Sequence, residues 1–183
     1  MSDVHTYLHE LSAVLQALPA EPIAQVVEVL ARARCDGRQV FIMGNGGSAA
    51  TASHFCCDLS KGTIAPDKPR FKVIGLADNM ALFSALANDW GYERVFDGQL
   101  EALAQPGDVA IGISGSGNSP NVLRAMELAR AMGLTTIGFS GFAGGKLAGL
   151  VDVSVVVPCD CMEQIEDAHL VLEHAICTAL RSR

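Results

Sequence analysis

Five short apolar segments rich in β-branched residues recur along this chain of 183 residues, at 39–43, 72–76, 109–113, 135–139 and 153–157. Runs of this length read as strands buried on both faces, and the helical patterns between them, at 47–60, 80–88, 93–104, 120–132 and 146–150, supply the crossovers that parallel pairing requires. The alternation predicts an α/β fold: a three-layer α/β/α sandwich around a five-stranded, mostly parallel sheet. Two further helices precede it, at 3–18 ended by Pro19 and at 21–33 closed by Asp36-Gly37, and a long helix over 162–180 follows it.

The length fits one domain spanning 1–183, and no repeat or linker divides it. Half of the residues are apolar, which argues against disorder, and a net charge of −7 offers no basic surface to a nucleic-acid backbone. The first ten residues lack a basic and apolar leader, and no stretch has the length of a membrane span, so a cytoplasmic protein is expected, without a membrane partner. The six cysteines read as free thiols: Cys56 and Cys57 are adjacent, Cys35 and Cys177 lie in helical patterns, and Cys159-x-Cys161 falls one residue short of the usual metal spacing.

In open parallel sheets ligands gather at the carboxyl ends of the strands. The first strand is followed by Gly44-Asn45-Gly46-Gly47-Ser48-Ala49-Ala50, and the third by Ser114-Gly115-Ser116-Gly117-Asn118-Ser119-Pro120. Glycines there permit close backbone approach, while three hydroxyls ahead of a helix N-terminus make an anion cradle that needs no lysine. The dinucleotide fingerprint and the Walker lysine are absent, which disfavours NAD and ATP. His54 and Asp58, one helical turn apart, share a face and can converge on one metal ion or substrate. His5 and His9 read as ordinary surface or core residues, His169 is open between that and function, and Met80, Phe83 and Leu86 read as core at helical spacing.

Read in order, Gly44 to Ala50, His54-x-x-x-Asp58, Ala87-Asn88-Asp89-Trp90-Gly91-Tyr92-Glu93, Val95-Phe96, Gly107-Asp108-Val109, Ile113 to Ser119, Gly144-Gly145 and Gln164-Ile165-Glu166-Asp167-x-His169 with His174 resemble the phosphoheptose isomerases of the sugar isomerase (SIS) family over nearly the whole chain. The resemblance implies aldose–ketose isomerisation of a seven-carbon sugar phosphate through an enediol, in a homotetramer. By position it places Asn45, Gly46, Gly47, Ser48, Asp58, Asn88, Asp89, Ser114, Gly115, Ser116, Ser119 and Glu166 along the substrate. It puts His54, Asp58, Glu166 and His174 at the zinc position, and Asp58 with His174 as the acid/base pair, their order left open. The chain departs from the family pattern in carrying Asp58 for Glu, Glu166 for Gln, Gln164 for Arg and Gly115 for Thr, and Lys61 stands near the place of a missing arginine. An isomerase of another phosphosugar, or a non-catalytic relative that binds a protein, are the rival readings.

Glu166 and His174 stand eight residues apart, about 12 Å of rise and 80° of rotation on a continuous helix. Either Glu166 precedes the regular helix, or the two residues serve one site from different chains. The wide apolar surface of 162–180 favours the second. It predicts a site shared between subunits, the helix of His54 and Asp58 meeting the terminal helix of a neighbour.

Overall fold

The computed structural model describes residues 3–182. Its sheet is built from β1 (Gln39–Gly44), β2 (Lys72–Gly75), β3 (Val109–Ile113), β4 (Thr135–Ser140) and β5 (Val153–Val156), in the order β2-β1-β3-β4-β5. Every pairing is parallel. The α/β fold expected from the alternation is therefore present, with a wholly parallel sheet in place of a mostly parallel one.

Among the described residues the α-helices are α1 (Val4–Gln16), α2 (Ala20–Cys35), α3 (Gly47–Cys57), α4 (Met80–Trp90), α5 (Asp97–Leu103), α6 (Pro120–Ala131), α7 (Gly145–Leu150) and α8 (Met162–Ser182). Alternate strand residues face opposite ways, and this sorts the core into two layers. Val40 and Ile42 join Ile111, Ile137 and Phe139 under α1, α2, α3 and α8. Phe41 and Met43 join Ala110 on the other face, under α5, α6 and α7. All of these strand side chains are fully buried.

Two local features depart from the periodic pattern. The stretch 93–104 is broken: Gly91, at φ 93°, leads into a 3-10 turn at Tyr92–Arg94, and α5 begins only at Asp97. Val95 and Phe96 are buried between the two pieces, so burying their side chains outweighs helical continuity. The stretch 47–60 ends as α-helix at Cys57 and continues as a π-turn over Asp58–Gly62. Met80 also departs from the core reading, being 65% exposed while Leu86 is buried.

The order of strands positions the site. The chain leaves β1 toward β2 on one side and returns to β3 on the other, so the connections after β1 and β3 diverge and open a crevice at their carboxyl ends. Both glycine- and hydroxyl-rich loops lie there.

Candidate functional site

The loop after β3 is tightly folded. Gly117 has φ 66°, and a Cβ there would collide with the Gly144 carbonyl, so only glycine fits the turn. The turn brings Ser114 and Ser119 within 3.0 Å through their hydroxyls. Ser119 is the N-cap of α6 but its side chain makes no capping bond, and Pro120 fills the first turn. Two hydroxyls at an uncapped, 12-residue helix therefore meet the demands of an anion. Ser116 accepts from the Asn118 amide at 3.2 Å at the mouth of the same loop, and Gly115 is buried in it.

The loop after β1 is clasped to this helix. Asn45 and Asn121 exchange side-chain amide hydrogen bonds at 2.9 and 2.8 Å, and the Tyr92 hydroxyl donates to Asn45 at 2.8 Å. Asn121 is 2% exposed and was not singled out by the sequence pattern, since asparagine near a helix start is ordinary. A cleft of about 340 Å³ opens beside Asn45, lined by Gly46, Ala50, Ser53, Met80, Phe83 and Tyr92. Ser48 is buried at the start of α3. Asn88 donates to Asp89 at 2.7 Å, both exposed near the end of α4.

A second cluster lies along α3 and α8. His54 faces Asp58 at 3.9 Å; His174 faces Asp58 at 3.7 Å and His54 at 3.4 Å, nitrogen to nitrogen. The π-turn beginning at Asp58 carries that carboxylate into the group, a common use of such turns. The sequence reading missed Glu173. Its carboxylate is fully buried and stands 3.7 Å from His54 and 3.6 Å from His174, with neither oxygen hydrogen-bonded. Burial, and then the negative charge of Asp58, push its pKa up to about 8.

Donor atoms of His54, Asp58, Glu173 and His174 all lie within 4.8 Å of one another. Two imidazole nitrogens edge to edge and an unpaired buried carboxylate suit a divalent cation among them, since oxygen and nitrogen donors about 2 Å from zinc sit roughly 3.3–3.4 Å apart in a tetrahedral site. The residues present therefore fit such an ion.

Glu166 lies within α8, as the reading of two residues on one continuous helix required. In its own chain it is not among the clustered groups, because its carboxylate packs on Gly47, where any Cβ would strike it. One expectation is corrected by this geometry. The helix of His54 meets His174 of its own chain, so these two groups assemble without a neighbour. His169 is settled as a core residue: 1% exposed, bonded to the Ser140 carbonyl at 3.2 Å, its pKa lowered by burial to about 4. The cysteines of the described residues are free, and burial pushes the Cys56 and Cys177 thiols up to about 12.

The SIS domain family matches residues 6–141. A phosphoheptose isomerase of Geotalea daltonii is 40% identical over 182 residues, covering 100% of this chain and 94% of that protein. The chain belongs to the phosphoheptose isomerase family of SIS-domain proteins. An Aquifex aeolicus phosphoheptose isomerase is 40% identical over 168 residues, covering 92% of this chain and 87% of the relative. The solved phosphoheptose isomerase of Neisseria gonorrhoeae superposes with a TM-score of 0.89 at 31% identity, covering 98% of this chain and 97% of its own. That of Francisella tularensis superposes at 0.90 with 27% identity and the same coverage. In this SIS domain the hydroxyl loop follows β3, and the histidine cluster lies between α3 and α8. No single helix among the described residues is long and apolar enough to cross a membrane.

Proposed function

We propose that the protein is a sugar-phosphate isomerase converting sedoheptulose 7-phosphate into D-glycero-D-manno-heptose 7-phosphate through an enediol. The observation that carries this reading is the convergence of His54, Asp58 and His174 on α3 and α8, in a chain that matches phosphoheptose isomerases from end to end.

The phosphate is bound by Ser114, Ser116 and Ser119 with the first amides of α6, and the sugar runs past Asn45, Gly46, Gly47 and Ser48, with Asn88, Asp89, Gly115 and Glu166 along its length. Asp58 and His174 form the acid/base pair. Their side chains are 28% and 49% exposed, so both reach the solvent side from which a sugar arrives. One takes a proton from C1, and the freed electron pair becomes the C1–C2 double bond while the C2 carbonyl oxygen gains a proton. Return of a proton to C2 and loss of the proton on the C1 oxygen leave the aldehyde. His54, Asp58 and His174 hold zinc, which when bound supplies positive charge that polarises the carbonyl and steadies the enediolate. The enzyme works as a cytoplasmic homo-oligomer, a tetramer by family resemblance. An apolar groove between Leu15, Leu18, Ile23, Val27, Val171 and Ala179 supports that association.

A panel of five- to seven-carbon sugar phosphates assayed with and without zinc tests the reading. Turnover confined to the heptose and dependent on the ion is expected; no turnover of any member sinks it.

A further inference from the structure

The Tyr92 hydroxyl reaches Asn45 from the turn between α4 and α5, and both residues line the same cleft. Its ring meets Phe83 edge-on at 5.8 Å, and Phe83 in turn packs on the fully buried Phe96. The turn is pinned as well. Arg94, two residues on, pairs with Asp97 at 2.9 Å, and the same buried carboxylate accepts from Arg124 of α6 at 2.6 Å. Tyr92 is thus 53% exposed yet held by its ring on one side and by its turn on the other, the turn being tied to the helix at whose start the hydroxyl loop ends.

The hydrogen bonds around it fix which atom donates. The Val122 backbone amide can only donate, and it lies 3.0 Å from Asn121 Oδ1, so that atom is the oxygen. Asn121 Nδ2 then donates to Asn45 Oδ1 at 2.8 Å, and Asn45 Nδ2 returns a bond to Asn121 Oδ1 at 2.9 Å. The atom of Asn45 that faces Tyr92 is therefore an acceptor, and the tyrosine must donate to it at 2.8 Å. A phenol has one proton, and this bond uses it. Two groups are left over at the cleft: the Tyr92 oxygen, able only to accept, and one amide hydrogen of Asn45 with no acceptor among the described residues.

We propose that Tyr92 is a positioning residue for the sugar: it orients the Asn45 amide, and its own oxygen accepts a hydrogen bond from a sugar hydroxyl while the spare Asn45 N–H donates to a sugar oxygen. A polyol offers both halves of that pair, since each hydroxyl donates and accepts. A phosphate oxygen asks for donors, and Tyr92 has none left, so its contribution falls on the sugar and not on the anion held at α6. The inference rests on reading the crevice as a sugar-phosphate site and does not depend on the chemistry that follows binding.

The test is isothermal titration of the full chain with sedoheptulose 7-phosphate and, separately, with inorganic phosphate. Tyr92→Phe keeps the ring on Phe83 and removes only the hydroxyl. It is expected to raise the dissociation constant for the sugar phosphate about five- to tenfold, the scale of one uncharged hydrogen bond. Inorganic phosphate should stay within about twofold, because its partners are donors on another loop. Asn45→Ala should also weaken the sugar phosphate, and adding Tyr92→Phe to it should cost less than Tyr92→Phe costs alone, since the hydroxyl then has no amide to orient. A Tyr92→Phe protein that binds both ligands as the parent does, or weakens both alike, overturns the inference, as do two penalties that simply add. A parent that shows the expected pattern of binding yet isomerises no sugar would remove the proposed function and leave Tyr92 its place; a parent that binds no sugar phosphate would remove both.

Discussion

At the residue scale the site shows how burial divides chemically similar groups. His54 and His174 are each nearly half exposed and meet Asp58, whereas His169, on the same helix as His174, is sealed against Phe139 and the Ser140 carbonyl. Its imidazole takes a proton near pH 6.5 when unfolded but only near 4 when folded. The unfolded chain therefore binds more protons across that window. The stability that neutral His169 permits is complete above about pH 6.5 and is lost as pH falls toward 4. Replacing it by Gln, which keeps a donor for Ser140, should change the difference between the denaturant midpoints of parent and variant. From pH 7.5 to 4.5 the parent should lose about 2–3 kcal/mol more than the variant. A difference that stays constant with pH would show that His169 takes up its proton normally in the folded chain.

At the element scale function sits where strand ends meet helix starts, and this part was legible in the sequence. Glycine and serine gather after β1 and β3 because only small residues allow the turn at Gly117 and the approach of Glu166 to Gly47. His54 and Asp58 were legible as a pair because one helical turn puts them on one face. Glu173 was not: a charged residue between Leu172 and His174 reads as facing water, and only the packing of α3 and its π-turn on α8 buries it. Asn121 was hidden for the same reason, since its partner Asn45 is 76 positions away. The hydroxyl loop carries its own prediction. Hydrogen bonds to a charged group are worth roughly 1.5–3 kcal/mol each, so Ser116→Ala with Ser119→Ala should raise the dissociation constant for the sugar phosphate more than tenfold. Isothermal titration with inorganic phosphate and with the sugar phosphate would check this, and an unchanged constant would move the phosphate off α6.

At the scale of the whole molecule the sheet order alone places both loops at one crevice, and the long terminal helix serves two ends. One side of α8 closes the core through Ile165, Leu172, Ile176 and Leu180, and the other leaves Val171 42% exposed beside the groove between α1 and α2. A second copy covering that face should make the protein sediment as an oligomer, and Val171→Glu should shift it toward monomer; a monomeric parent would end that proposal. The isomerase account itself is tested most directly by running the reaction on sedoheptulose 7-phosphate in deuterium oxide. With zinc present, the parent should yield aldose carrying deuterium at C2, and His174→Gln should lower kcat by about 10²–10⁴-fold. Aldose formed without any deuterium, or a His174→Gln enzyme that keeps most of its kcat, would contradict an enediol path through this histidine.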